Sequence, residues 1–167
     1  MRAPMVARPV LRFISAPSGA ARVGGAAMTG AYISAEELIE LLLGERGAVA
    51  VVDVRDEDRL GGHIAGSIHA PSSSLDDRVL DQLADRLATR RVVVFHCMKS
   101  QIRGPSSLAM FRKVMEKRRQ EPGPRLCLLV SGFERFAKVA TRHAHAQILL
   151  EAMDDRVWPQ WMLTSMD

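Results

Sequence analysis

The chain has 167 residues, 47% hydrophobic and 25% charged, enough for one globular domain with a core and some additional tail, which excludes a collagen, a coiled coil and a disordered chain. Its longest apolar runs, residues 48–52 and 126–130, fall far short of the roughly 20 that cross a bilayer, and two cysteines are too few for a disulfide framework, so no membrane and no stapled secreted fold are expected. The net charge of +4 resides near the N-terminus: Arg2, Arg8, Arg12 and Arg22 precede the first acid, and without them the 23 Lys and Arg balance the 19 Asp and Glu, which argues against nucleic acid as a partner.

Residues 1–28 form a leader rich in Arg, Ala, Gly and Pro, free of acids and without a secretory apolar stretch. It reads either as an organellar transit peptide, giving a mitochondrial or plastid protein, or as an extension ahead of a start at Met28, leaving the protein in the cytoplasm and nucleus. A domain over 29–142 and a divergent tail over 143–167 follow. Ser34 with Glu37 predicts a capping box, and Leu38, Ile39, Leu41 and Leu42 the apolar face of the helix it opens. The β-branched run 48–54 predicts a buried strand, and Gly61, Gly62, Gly66 and Pro71 punctuate a loop region. Val79, Leu83 and Leu87 recur every four residues and predict a second helix; residues 91–95 predict another buried strand. Gly104-Pro105 marks a helix start, with Leu108, Phe111 and Met115 inward and Arg112, Lys113, Lys117, Arg118 and Arg119 in solvent. A third buried strand covers 126–130. Strands alternating with helices predict an α/β domain, a central mostly parallel sheet with helices on both faces.

In such sheets ligands bind beyond the carboxyl ends of the strands, which singles out the loop from His96 to Arg103. Cys97 directly follows a strand, Arg103 lies six positions later, and a helix begins at once. A loop this short curls the N–H groups of Met98, Lys99, Ser100, Gln101, Ile102 and Arg103 toward one point, an anion nest reinforced by the helix dipole. That field favours Cys97 as thiolate, the nucleophilic form. Arg103 suits a two-point grip on a tetrahedral oxyanion, which Lys would not reproduce; the alternative is a surface salt-bridge partner, and its position beside the nest favours ligand binding. Residues 90–119 hold nine Lys or Arg against Glu116 alone, a local field that attracts a small anion.

This Cys-x5-Arg loop resembles the signature of cysteine-dependent phosphatases. The stretch Val52-Asp-Val-Arg-Asp-Glu-Asp58 with Gly62-His-Ile-Ala-Gly-Ser-Ile68 resembles the first strand and turn of a rhodanese domain. Val92-Val-Val-Phe-His-Cys97 resembles its active-site strand, and Leu129-Val-Ser-Gly-Phe133 its later strand and Gly-Phe turn. The resemblance covers about residues 30–136 and implies a single rhodanese-like domain. Sulfurtransferases of that fold usually have a loop one residue shorter. The longer loop here is similar to that of the M-phase inducer phosphatases and the related eukaryotic arsenate reductases. His-Cys-x-x-Ser-Gln-x-Arg-Gly-Pro, His96 to Pro105, looks most like the small plant-type members.

The resemblance implies two chemistries with one first step. Cys97 attacks a phosphotyrosine or phosphothreonine phosphorus as a protein tyrosine or dual-specificity phosphatase, or attacks arsenate, with glutathione and glutaredoxin supplying the electrons. A rhodanese-type sulfurtransferase and a non-catalytic rhodanese-like binding module are the alternatives; loop length argues against the first and retention of Cys97 against the second. No bound cofactor and no metal are expected: plant-type members end in a cysteine-rich zinc-binding tail, whereas no cysteine follows Cys127 here, and His143 and His145 lack a third ligand. The expected partners are a small oxyanion or a phosphoprotein, and glutaredoxin in the reductase reading, acting on a monomer.

Around the nucleophile, Asp53 either orients the active loop from below or caps the turn at its strand end, and His96 is a framework hydrogen-bonder. Ser100 either donates to the Cys97 thiolate or is an ordinary loop hydroxyl; Lys99 is a basic rim residue. Cys127 is read as a core cysteine rather than a resolving thiol. No acid lies within the loop; Asp56, Glu57 and Asp58 are proton-donor candidates by proximity alone. Phe136 stands where plant-type members carry an aromatic. Residues 144–153 are expected to form a short helix, and Trp158 with Trp161 either to fold back on the body or to mark a contact.

Overall fold

The computed structural model describes residues 31–118, 123–159 and 162; the leader, Arg119 and Trp161 lie outside them. Strand β1 (Ala31–Ile33) runs into helix α1 (Ala35–Gly44), opened by the expected capping box: Ser34 Oγ accepts from Glu37 N–H at 3.1 Å while Glu37 Oε2 accepts from Ser34 N–H at 2.8 Å. Strand β2 (Val49–Asp53) follows, then the two-residue strands β3 (His63–Ile64) and β4 (Ile68–His69) and helix α2 (Asp77–Leu87). Strand β5 (Val92–His96), helix α3 (Arg103–Arg118), strand β6 (Arg125–Leu129) and helix α4 (Gly132–Thr141) complete the alternation, and a single turn, α5 (Ala146–Leu149), leads into β7 (Leu150–Glu151).

Five strands form a parallel sheet in the order β1-β6-β5-β2-β4, with β2 and β5 central. All five residues of each of these two strands are buried, and the period of two sends alternate side chains to opposite faces. Val49, Val51, Val92, Val94, Cys127 and Leu129 join α1 and α4 on one face. Ala50, Val52, Val93, Phe95 and Leu128 join Leu80, Leu83 and Leu87 of α2 and Leu108, Phe111 and Val114 of α3 on the other. The expected architecture holds, with adjustments of one residue at strand ends. On α2 the buried face is Leu80, Leu83, Ala84 and Leu87, with Val79 half-buried; on α3 Val114 takes the place given to Met115.

Residues 143–159, within the expected divergent tail, pack onto the domain. The helix anticipated over 144–153 is only one turn long, because the chain then extends and pairs antiparallel with β3, His63 opposite Glu151 and Ile64 opposite Leu150. Leu149 is fully buried, and Trp158 sets its ring edge-on to Phe133, with centroids 5.4 Å apart and planes at 83°. Leu149→Ala is therefore expected to lower the unfolding free energy by about 2–5 kcal/mol, read as a shift of the urea midpoint at unchanged slope. A loss below about 0.5 kcal/mol would place the segment outside the cooperative unit.

Candidate active site

Because β2 and β5 are neighbours in register, Asp53 stands beside His96 at the carboxyl edge of the sheet, and the loops that follow meet there. Cys97 lies one residue past β5, 4% exposed, and the chain curls through 98–102 to enter α3 at Arg103. The carbonyl oxygens of Cys97 and Met98 accept from Phe133 N–H and Glu134 N–H, each at 3.0 Å. Those donors belong to the first turn of α4, where N–H groups have no partner inside the helix. With the carbonyls turned toward α4, the N–H groups of Met98 to Ile102 meet no acceptor among the described residues, which leaves them to an anion.

Two backbone positions make the curl possible. Ser100 adopts a left-handed conformation, φ 52°, within the loop. Its hydroxyl is buried without a hydrogen-bond partner, and Ser100 Oγ and Cys97 N both lie 3.4 Å from where a Cβ on Gly104 would stand, so the hydroxyl faces the loop's base. Gly132 has φ +61°, and a Cβ there would overlap the carbonyl oxygens of Cys97 and Met98. The Gly-Phe turn is thus the surface on which the reactive loop rests.

Asp53 reaches the loop at His96, whose Nε2 lies 3.9 Å from Asp53 Oδ2, and makes no hydrogen bond to residues 97–103. Its carboxylate takes the side edge of Arg55, with Nε at 3.0 Å and Nη2 at 2.7 Å, and accepts the Arg55 N–H at 3.1 Å, so it caps the turn and anchors a fully buried arginine. Burial works to raise its pKa, but the hydrogen bonds and charge of Arg55, aided by His96, prevail and hold it below the usual carboxylate range. Arg55 also donates to the carbonyls of Gly62 (2.8 Å) and Asp58 (3.2 Å) and lies 4.0 Å above the Phe133 ring. Sequence reasoning passed over Arg55, although a charged residue directly after a buried run is itself a signal that needs a partner. His96 is a framework residue as expected: Nδ1 donates to the Cys97 carbonyl at 3.3 Å and the ring stacks near Phe133. Burial pushes its pKa down to about 4, so the ring is neutral at pH 7.

Arg103 stands where the sequence placed it, yet it is also an ion-pair partner. Nη1 donates to Asp56 Oδ2 at 3.0 Å and to Asp58 Oδ1 at 2.7 Å, and Nη2 to Asp58 Oδ2 at 2.6 Å. The Ser73 N–H, the Ser72 hydroxyl and Arg103 hold Asp56 well below the ordinary carboxylate range against a modest opposing effect of burial, and Arg103 does the same for Asp58. Two of the three candidate proton donors, Asp56 and Asp58, are therefore held as carboxylates. Glu57 is exposed between them.

Lys99, Gln101, Ser131, Glu134, Arg135 and Lys138 line a cleft of about 360 Å³ on the α4 side of the loop, where Lys99 approaches Glu134 at 3.7 Å. Met98 packs against the core and Ile102 is 76% exposed at the opposite rim. Cys127 is fully buried in β6, where burial raises its pKa, as a core cysteine does.

The parallel α/β domain thus brings together a strand-end cysteine, a loop of backbone amides and an arginine at the carboxyl edge of its sheet. The rhodanese-like domain model matches residues 34–138, and the chain belongs to that family. It is 35% identical over 118 residues to the dual specificity phosphatase Cdc25 of Arabidopsis thaliana, covering 68% of this chain and 79% of the relative. To arsenate reductase 2.2 of Oryza sativa subsp. japonica it is 46% identical over 81 residues, covering 48% of this chain and 60% of the relative. The solved As-Sb reductase from Leishmania major superposes with a TM-score of 0.64 at 29% identity, over 72% of this chain and 91% of that one.

Gly132→Ala tests the backing of the loop: its Cβ forces the Cys97 and Met98 carbonyls away, so activity is expected to fall at least about 100-fold while the unfolding free energy read from the urea midpoint falls by no more than about 3 kcal/mol. Near-normal activity would show that the loop keeps its shape without α4. A second expectation concerns acid. His96 titrates near 6.5 unfolded and about 4 folded, so its contribution is complete above the unfolded value and is lost as pH falls toward 4. The slope it adds is up to about 1.4 kcal/mol per pH unit, and His96→Phe should remove it; parallel pH profiles for the two proteins would contradict the assignment.

Proposed function

We propose that this chain is a cysteine-dependent oxyanion-processing enzyme whose preferred reaction is arsenate reduction, with slower hydrolysis of aryl phosphates on the same thiolate. The observation that carries this choice is the state of the acids: Asp56, held by Ser73, Ser72 and Arg103, and Asp58, held by Arg103, both lie below the ordinary carboxylate range, and His96 is buried and neutral. Expelling an alkoxide from an alkyl phosphate calls for a proton at the leaving oxygen. Arsenate carries protons on its own oxygens, and an aryloxide leaves without one.

Cys97 Sγ attacks arsenic, the As–S bond forms as an As–O bond breaks, and the loop amides with Arg103 hold the remaining oxygens. Reduction then transfers two electrons to arsenic(V): two thiols become one disulfide, arsenic(III) is released, and one oxygen leaves as water. Glutathione with glutaredoxin is the proposed thiol source. The basic side chains of Lys99, Arg135 and Lys138 offer a place beside the loop for the carboxylates of such a peptide thiol. The relatives named as arsenate reductases support the choice, and the one named as a phosphatase supports the shared thiolate step.

The full-length chain should form arsenite from arsenate in the presence of glutathione and glutaredoxin, with kcat/KM at least about tenfold above that for nitrophenyl phosphate, and Cys97→Ser should abolish both. Hydrolysis without reduction would make the protein a phosphatase. Persulfide formation from thiosulfate with neither activity would return it to sulfur transfer.

A further inference from the structure

Arginine has five N–H donors in a fixed plane. In Arg103 both Nη1 hydrogens are used, one by Asp56 Oδ2 at 3.0 Å and one by Asp58 Oδ1 at 2.7 Å, and one Nη2 hydrogen is used by Asp58 Oδ2 at 2.6 Å. What remains is Nε–H and the second Nη2 hydrogen, parallel donors along one edge of the guanidinium. Arg55 uses the same edge, Nε with Nη2, to grip the Asp53 carboxylate in this molecule.

The carboxylates that occupy the far side of Arg103 are themselves fixed. Asp56 accepts from Ser72 Oγ at 2.8 Å and Ser73 N–H at 3.0 Å. The Asp56 N–H donates to Asp58 Oδ1 at 3.1 Å, and the Asp58 carbonyl accepts from the buried Arg55 at 3.2 Å. An arginine that only needed a counter-ion would be served by one mobile acid at the surface; here two are built onto the loop after β2, three residues and five residues past Asp53. Arg103 in turn lies close enough to Cys97 for a charge there to act on it.

We propose that Asp56 and Asp58 are positioning residues: they clamp the guanidinium of Arg103 by its far side so that the Nε–Nη2 edge is held ready for two oxygens of the tetrahedral anion. The clamp rests on the oxyanion-processing reading for its purpose. Its cost is two negative charges beside an anion site, so it makes a prediction opposite in sign to simple electrostatics. Removing Asp58 takes away repulsion but frees the side chain of Arg103 to rotate. If positioning governs, the anion is then bound less well.

The test uses the full-length chain, inorganic phosphate as the binding probe and arsenate turnover as the kinetic one. Asp58→Ala is expected to weaken phosphate binding at least about tenfold and to lower kcat/KM by at least as much, with kcat reduced and not KM alone raised. Asp58→Asn, which keeps one acceptor for Arg103, should recover part of the loss. Asp77→Asn removes the same charge from an exposed position at the start of α2 and should leave binding unchanged. Urea midpoints show whether each variant is folded. The clamp is overturned if folded Asp58→Ala binds phosphate as tightly as the wild type or more tightly, which would make the carboxylates competitors of the anion. Phosphate binding needs no turnover, so a wild-type chain that reduces no arsenate yet binds phosphate in an Asp58-dependent way would overturn the proposed reaction and retain the clamp.

Discussion

Arg55 carries a full charge to zero exposure, and the surroundings that keep it there define the active site. An unpaired charge in that position would cost several kcal/mol; Asp53 neutralises it with two hydrogen bonds, the carbonyls of Gly62 and Asp58 take further donors, and Phe133 covers its face. Each of these contacts fixes something else. Phe133 opens α4 and its N–H holds the Cys97 carbonyl, while the Asp58 carbonyl fixes the segment whose side chains hold Arg103. The nucleophile and the anion-binding arginine are thus both referred to one buried cation, although neither touches it. A buried pair of this kind adds little net stability compared with apolar packing. What it adds here is position.

The same residue pair appears twice at the end of β2 with different consequences. Asp53–Arg55 is sealed from solvent, and its attraction is not screened by water. Arg103 is 32% exposed, and its partners Asp56 and Asp58 are exposed to 29% and 35%, so the attraction between them is screened and contributes little to stability. Their value lies in direction, since a guanidinium held on one edge presents the other.

Much of this was legible in the sequence because the strands are buried on both faces and read as continuous β-branched runs, and because a cysteine, five residues and an arginine between a strand and a helix have few other uses. Strands β1 and β4 were not legible: three and two residues are too short to show a period, and they exist only because the edges of β6 and β2 offer hydrogen bonds. Helix α4 does carry a helical period in Phe133, Phe136, Ala137 and Ala140, hidden behind the expectation of a Gly-Phe turn. Leu149 and Trp158 join the core through β7, a pairing across some ninety residues that no local pattern encodes. The sequence drew attention to Asp56 and Asp58 by proximity alone. It could not show the arginine they meet, some forty-five residues later in the chain, which with Ser72 and Ser73 holds these carboxyls below their ordinary range.

These ion pairs bear on how the proposed oxyanion site would hold its ligand. Two carboxylates offset the charge of Arg103 itself. In the proposal the grip comes from donors aimed at one point: the loop amides whose carbonyls α4 has taken, the N-terminus of α3, and the free edge of Arg103. Donors of that kind discriminate by the placement of oxygens and not by charge alone, and they need no reorganisation as charge moves from sulfur to the transferred group. A site that depends on placement requires its backbone to be held from behind, which is what Gly132, by having no side chain, allows α4 to do.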